Sequence, residues 1–235
     1  MSESEGTRQY EWYVPRFGPR RFRIFVGMSF LPYTLMNASY VLVGSLVAPS
    51  VHFDRMLGMA VVYLLAVGVS AHSLDAMAPN RPWGKFLSRS QLLTLAVAAL
   101  IPACFIGLYY AFTTAPLLLP LGLVELFFLL SYNLELFGGR FHTDLWFAFS
   151  WGFLPVLAGY AVQTGTLSSV SVAAGLFGFS TAFIEINASR PYKALTRDPG
   201  DRDSPLASRL EAILKGVVGS VLVTALFLLL RSVFG

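Results

Sequence analysis

Seven long apolar segments constrain what this chain of 235 residues can fold into. Crossing about 30 Å of hydrocarbon takes roughly 20 apolar residues as a helix, and seven stretches reach or approach that length. They are Ile24–Ala48, Met56–Met77, Leu92–Phe112, Ala115–Tyr132, Leu145–Gln163, Ser168–Ile186 and Leu210–Leu230. Strands of a membrane barrel would alternate apolar and polar residues, and these stretches do not. The sequence therefore predicts an all-α, polytopic membrane bundle of about seven transmembrane helices.

The basic residues predict the orientation of this bundle. With the N-terminus in the cytoplasm, all but Arg55 and Arg231 of the 17 basic residues fall on the cytoplasmic side. We therefore expect a multi-pass protein of the cell membrane, with a cytoplasmic tail at residues 1–20 and one membrane domain at residues 21–235. The long polar loops are expected in the cytoplasm as well. The net charge of +4 favours contact with anionic membrane lipids. Nucleic acid is not an expected partner, because basic and aromatic residues are not interleaved on one surface.

Two short stretches resemble one another, and each follows a very apolar segment. The first is His72-Ser-Leu-Asp75, followed by Asn80-Arg81-Pro82-Trp83-Gly-Lys85. The second is Glu185-Ile-Asn187, followed by Ser189-Arg190-Pro191-Tyr192-Lys193. In each, an acid precedes Arg-Pro-aromatic and a lysine follows. Intramembrane acids are costly to insert, and cations just beyond them suit an anionic group such as phosphate.

The predicted topology collects these polar groups at one membrane boundary, above an apolar interior. We take Asp75 and Glu185 as candidate catalytic residues. The candidate substrate-binding residues are His72, Arg81, Lys85, Tyr132, Asn133, Glu135, Asn187, Arg190 and Lys193. A purely structural alternative is that Asp75 pairs with Arg81 and Glu185 pairs with Arg190. Glu125, about halfway along the fourth segment, could face a cavity or be a hydrogen-bonded acid of the core.

The arrangement resembles the UbiA-type intramembrane prenyltransferase family. The resemblance rests on Asp75, on Asn80-Arg81-Pro82, on Glu185-Ile-Asn187-Ala-Ser189 and on Tyr132-Asn-Leu-Glu135, and it covers roughly residues 20–230. It implies a UbiA-like helical fold and an isoprenoid diphosphate as donor. It also implies Mg²⁺ held by Asp75 and Glu185, and transfer of the prenyl group to a lipid or aromatic acceptor. His72 stands where the family usually has an Asp, and Ser189 stands where another would be expected.

Whether the chain is an enzyme stays open at this point. A divergent, short prenyltransferase is one hypothesis. The other is a non-catalytic protein that binds a lipid or quinone-like amphiphile, or a membrane subunit with a protein partner in a larger complex. The scarcity of carboxylates favours the second hypothesis. A transporter is a third alternative, although nothing in the sequence resembles a coupled ion site.

Overall fold

The computed structural model describes residues 8–77 and 86–235, and the regular elements in these ranges are all helical. The helices are α1 (Arg20–Met28), α2 (Leu31–Leu46), α3 (Phe53–Asp75), α4 (Arg89–Thr113), α5 (Leu118–Asn133), α6 (Asp144–Thr164), α7 (Ser169–Arg197) and α8 (Pro205–Phe234). Single 3₁₀ turns lie at Arg8–Tyr10 and Phe137–Gly139. The all-α prediction is confirmed for the described part of the chain.

Six helical stretches in the described ranges are long and apolar enough to cross a membrane. Five are α3, α4, α6, α7 and α8, and the sixth is α1 with α2, which together run from Arg20 to Leu46. The predicted fourth span corresponds to α5, which has only 16 residues. At 1.5 Å per residue α5 is about 24 Å long, which is shorter than the hydrocarbon core. The membrane character of the chain thus rests on six spans and one shorter apolar helix.

Helix α6 lies at the centre of the bundle. In its apolar membrane-spanning stretch 67% of the residues are buried, whereas the figure is 22% for each of α4 and α8. The latter two therefore present most of their apolar surface to the surroundings, as lipid-facing helices do. On the inner side, α6 packs closely on α2 and α7.

Glycines permit these close crossings. An added Cβ at Gly44 of α2 would collide with the backbone of Val156, and one at Gly159 would collide with the backbone of Val41. Gly152 of α6 and Gly178 of α7 approach each other in the same way. Small residues at helix crossings let backbones come together in membranes. Gly44, Gly152, Gly159 and Gly178 each admit a neighbouring backbone in this way.

Two interhelical hydrogen bonds strengthen the same contacts. The Ser45 hydroxyl on α2 donates to the Gly159 carbonyl at 2.9 Å. The Asn37 side chain donates to the Trp151 carbonyl at 2.8 Å. Each ties α2 to α6 close to a glycine contact, so the two helices are fixed in register.

Helix α7 departs from its predicted end. The pattern places the end of the sixth span at Ile186 and a loop at about residues 187–209, because Pro191 usually follows a helix end. The helix instead continues through Pro191 to Arg197, about three turns further. As a consequence Arg190, Lys193 and Arg197 follow Ile186 on one helical stripe.

Replacing Gly159 by Leu is expected to destabilise the bundle by about 1–3 kcal/mol, because the new side chain would meet the Val41 backbone. Thermal unfolding of the detergent-purified protein measures the effect. Gly219→Leu in α8 is the matched control, since an added Cβ there has no atom within 4 Å. Equal melting temperatures for the two variants would contradict the close crossing.

Candidate functional site

The polar groups gather around one cavity of about 320 Å³, called the polar cavity below. It lies at the end of the bundle where α3, α5 and α7 finish and where α2 and α6 begin. Seven predicted site residues line it: His72, Asp75, Tyr132, Asn133, Glu185, Arg190 and Lys193. The two similar stretches of the sequence therefore reach the same cavity, as far as the structure describes them.

Two π-helical segments shape the wall of the polar cavity. Residues Ala66–Ala71 of α3 and Phe149–Phe153 of α6 both have the wider π turn. Such segments insert an extra residue into a helix and often occur at functional sites. The first ends immediately before His72, and the second contains Trp151, so each changes the direction in which a cavity-lining ring points.

His72 is held between aromatic rings. Its imidazole lies 4.5 Å from the Phe30 ring and 5.7 Å from the Trp151 ring, centroid to centroid. Its Nε2 is 3.1 Å from the Thr34 hydroxyl, which itself donates to the Ser29 carbonyl. Because that hydroxyl hydrogen is already used, we infer that His72 donates from Nε2. His72 is thus buried and fixed by packing.

Phe30 occupies a break between α1 and α2. Its φ of 44° lies in the left-handed region, which a bulky residue rarely adopts. Pro32 follows in the first turn of α2, where the absence of an N–H costs little. The break directs the Phe30 ring into the polar cavity, where the Arg8 guanidinium and the Lys193 amine lie 5.4 Å from its centroid.

The segment from Arg8 to Pro19, called the N-terminal strap below, contributes Arg8 to the lining of this cavity. The Trp12 amide donates to the Tyr192 hydroxyl at 2.9 Å, and the Trp12 indole N–H donates to Tyr33 at 3.0 Å. The Tyr192 hydroxyl in turn donates to Glu211 of α8. These bonds tie the strap to α2 and α7, and through Tyr192 to α8, so Glu11–Val14 of the predicted tail are packed against the bundle.

The strap also brings a cation into the polar cavity. Arg8 Nη1 donates to Asp75 Oδ2 at 3.1 Å, and Arg8 Nε lies 3.7 Å from Glu11 Oε1. Burial lowers the pKa of Arg8, but the Asp75 and Glu11 carboxylates raise it by more, so the net shift is upward. Arg8 therefore stays positively charged at every physiological pH.

Glu11 is only 2% exposed, and its charge is balanced within the strap. The Tyr13 hydroxyl donates to Glu11 Oε2 at 2.9 Å. Burial, and then the Glu11 carboxylate, raise the pKa of Tyr13 well above its ordinary value. The phenol consequently keeps its proton and remains a donor to Glu11.

Arg190 has a different partner from the predicted one. Its Nε pairs with Asp144 Oδ1 at 2.8 Å, and its Nη2 donates to the His142 carbonyl at 3.4 Å. The ring of His142 stacks on Tyr132 with centroids 4.3 Å apart. Arg190 thus holds the connection between α5 and α6 against the cavity. The predicted structural pair of Glu185 with Arg190 is not among the ion pairs of the described residues.

Basic side chains outnumber acidic ones around the polar cavity. Among the described residues that line it, four are basic (Arg8, Arg190, Lys193 and Arg197) and two are acidic (Asp75 and Glu185), while the Glu11 and Asp144 carboxylates lie behind this lining, beside Arg8 and Arg190. Arg197 Nε is buried without a hydrogen-bond partner in that part of the chain. Lys193 likewise has no carboxylate within ion-pair distance there. The cavity therefore suits an anion.

Some predicted residues are not brought to this cavity. Glu135 is exposed just past the end of α5, with a left-handed φ of 49°. Asn187 is exposed on α7, and its side chain donates to the Phe183 carbonyl. The binding roles predicted for these two residues are not supported by their positions. Arg81 and Lys85 lie outside the described residues.

The sequence interpretation missed three polar residues of the cavity wall. Arg8 was assigned to a tail, Arg197 to a loop, and His142 was not selected. Arg197 could have been found by continuing the helical stripe of Arg190 and Lys193 through Pro191. Nothing in the local sequence of Arg8 indicates its return to the bundle.

The described side chains do not fit a protein-held Mg²⁺. In residues 8–77 and 86–235, no three His, Cys, Asp or Glu side chains are grouped so as to hold a metal ion. Asp75 is already paired with Arg8, and a divalent cation would also meet Lys193 and Arg197. Mg²⁺ prefers carboxylate, water and phosphate oxygens. The predicted metal role of Asp75 and Glu185 is therefore not used in the mechanism considered below.

No protein-family model, curated protein or solved structure matches this chain. The geometry of its own residues is thus the basis for a functional proposal.

Replacing Tyr192 by Phe should loosen the N-terminal strap. The Trp12 amide would lose its acceptor, and a hydrogen bond of this kind contributes about 1 kcal/mol. We expect amide hydrogen exchange in residues 10–14 to rise about fivefold. Tyr109→Phe, at an exposed position of α4, is the control. Unchanged exchange in Tyr192→Phe would show that this bond does not hold the strap.

Proposed function

We propose that this membrane protein binds an amphiphile through its phosphate-bearing head group, and that an isoprenoid diphosphate is the class of ligand. The observation that carries the proposal is the excess of basic side chains around the polar cavity. A phosphate or diphosphate group brings several strong acceptor oxygens, which match guanidinium and ammonium donors.

Lys193 and Arg197 are the primary head-group ligands in this proposal. They lie one helical turn apart on α7, and neither has an ion pair within the described ranges. Arg8 and Arg190 already pair with Asp75 and Asp144, so they contribute mainly by positioning the strap and the α5–α6 connection.

The aromatic part of the cavity lining suits the apolar part of an amphiphile. Five aromatic residues line it: Phe30, Tyr33, Tyr132, Phe147 and Trp151. Phe147 and Trp151 are stacked with centroids 5.1 Å apart, which makes a flat apolar surface. A ligand with a charged head and a hydrocarbon chain can satisfy both parts of the lining at once, whereas a free phosphate satisfies one.

The distribution of basic residues supports a cytoplasmic position for this cavity. In the proposed orientation, the N-terminal strap and the polar end of α7 lie on the cytoplasmic side. Anionic lipids of that leaflet are attracted to the same charges. The ligand would thus approach from the cytoplasmic leaflet of the cell membrane.

Binding of farnesyl diphosphate to the purified full chain tests the proposal. We expect Lys193→Gln and Arg197→Gln each to weaken binding about tenfold, because each removes a charge-assisted contact in a partly dry site. The measurement is equilibrium binding of radiolabelled farnesyl diphosphate in lipid nanodiscs. Raising the salt concentration should weaken binding only modestly, since enclosed charges are poorly screened.

Arg231→Gln is the matched control, because Arg231 is exposed in the last turn of α8 and is not among the residues that line the cavity. Farnesol and inorganic diphosphate separate the contributions of tail and head. Affinity that is unchanged in both Lys193→Gln and Arg197→Gln would refute the head-group site. Equal affinity for farnesol and farnesyl diphosphate would refute it as well.

Prenyl transfer is a second candidate, favoured by the aromatic wall and by the resemblance to UbiA-type enzymes. The carbon–oxygen bond between the isoprenoid and the diphosphate breaks, and the diphosphate leaves with the electron pair. Aromatic faces stabilise the allylic cation that remains. The acceptor then forms the new bond to this carbon and loses a proton. Lys193 and Arg197 compensate the charge of the departing diphosphate, while Asp75 and Glu185 orient the acceptor.

The variants Asp75→Asn and Glu185→Gln distinguish transfer from binding alone. If the chain transfers prenyl groups, each variant should lower turnover at least about 100-fold while affinity for farnesyl diphosphate stays within about threefold. Incorporation of a radiolabelled prenyl group into lipid and aromatic acceptors is the measurement. Tight binding without turnover in the unsubstituted protein would support the non-catalytic alternative, including a role as a membrane subunit of a complex.

A further inference from the structure

A second cavity, of about 340 Å³, lies deeper in the bundle and is called the apolar chamber below. Helices α3, α4, α5 and α6 surround it, and its lining is mostly Leu, Val, Ala and Gly. Its volume is at the lower end of the range for small-molecule sites in proteins. Trp151 borders both this chamber and the polar cavity, so a single side chain forms part of both walls.

One acid interrupts this apolar lining. Glu125 of α5 lies in the chamber wall, and the Tyr63 hydroxyl of α3 donates to its Oε1. Within the described ranges, Oε2 has no hydrogen-bond partner. The two alternatives for Glu125 therefore both hold in part: it faces a cavity, and it has a hydrogen bond. An intramembrane carboxyl is costly, and the second oxygen of this one is free to hydrogen-bond with a polar group of a ligand.

The chamber opens toward the lipid-facing side between α4 and α5. Leu108 is 44% exposed and Leu123 is 69% exposed, although both line the chamber. Gly107 and Gly122 also line the chamber, and a Cβ built at either has no atom within 4 Å. Glycine at these positions, unlike Gly44 or Gly159, makes no close helix contact. The absence of a side chain at Gly107 and Gly122 leaves free space in the part of the lining that is nearest to the bilayer.

We infer that the apolar chamber binds a neutral, lipid-soluble alcohol or phenol whose hydroxyl group forms a hydrogen bond with Glu125. The apolar lining takes the body of the molecule, and the pair of Glu125 and Tyr63 recognises its polar group. The ligand arrives through the bilayer, because the opening faces lipid. This site is distinct from the head-group site, and it stands whether or not the polar cavity binds diphosphate.

The polar pair is what argues against a simple hydrocarbon occupant. A lipid tail in the chamber would leave Glu125 Oε2 facing hydrocarbon without a partner. A hydroxyl group on the ligand gives Oε2 a hydrogen-bond partner, while the apolar body of the ligand keeps its contacts with the chamber lining. For the same reason the chamber is a poor place for the chain of the amphiphile bound in the polar cavity.

Photolabelling tests the inference in vesicles of phosphatidylcholine that contain the full chain. The probes are a long-chain alcohol with a diazirine group and the matched diazirine alkane without the hydroxyl. Mass spectrometry of the labelled protein then compares the segments 100–111 and 118–129. We expect at least about fivefold more labelling there by the alcohol than by the alkane.

Three variants provide the comparison. Glu125→Leu should lower labelling by the alcohol about fivefold and leave the alkane unaffected. Gly122→Leu should exclude the alcohol by filling the chamber while Glu125 and Tyr63 stay in place. Gly216→Leu on α8 is the matched control, because it is also an exposed helical glycine with no atom within 4 Å of its Cβ. Thermal unfolding in detergent identifies any variant that fails to fold. If Glu125→Leu fails to fold, Gly122→Leu still tests the inference.

Equal labelling by alcohol and alkane would overturn the inference, because the chamber would then hold only hydrocarbon. It would also be overturned if farnesyl diphosphate displaced the alcohol from the unsubstituted protein but not from Arg197→Gln. In that case the chamber would hold the tail of the head-group ligand. Failure of farnesyl diphosphate to bind at all, with the alcohol labelling intact, would refute the proposed function and leave this inference standing.

Discussion

The close packing of α2 against α6 is the constraint on which the rest of the structure depends. Gly44 and Gly159 bring the two backbones into direct contact, and Ser45 and Asn37 tie them together by hydrogen bonds. Because lipid gives no hydrophobic drive between helices, such contacts must come from packing and polar bonds. Once α2 and α6 are in place, the Phe30 and Trp151 rings have fixed positions, and the polar cavity forms between them.

The placement of charge follows from the same membrane constraint. Acids and bases are costly inside hydrocarbon, so they collect where helices end, and α3, α5 and α7 all end at one face. There the side chains compensate one another only in part. Asp75 pairs with Arg8 and Asp144 pairs with Arg190, while Lys193 and Arg197 outnumber Glu185, the remaining acid of the described lining. A stable protein can keep such an excess when a ligand supplies the opposite charge.

The sequence was sufficient for the features that depend on apolar length and on helix ends. Apolar runs predict seven spans, of which six are long and apolar enough in the described ranges and the fourth is the shorter helix α5. The predicted topology also places Asp75 and Glu185 at one membrane boundary, and both line the polar cavity. The features that cannot be predicted from the sequence depend on contacts between residues that are distant along the chain. Pro191 is a usual sign of a helix end, yet α7 passes through it, because packing of Tyr192 and of the N-terminal strap outweighs the local preference. Glu135 looked equivalent to Asp75 by its position at a helix end, but the left-handed turn after α5 directs it to the surface.

The tie between Trp12 and Tyr192 has a consequence for how the protein is made. These residues are 180 positions apart. At about 5–20 residues per second, the ribosome needs roughly 10–40 s to produce the second after the first. During that interval the strap has no partner on α7, and the α7 part of the cavity wall is still missing. The nascent chain thus inserts its first helices without a functional site. That site is completed only when nearly all of the protein has left the ribosome.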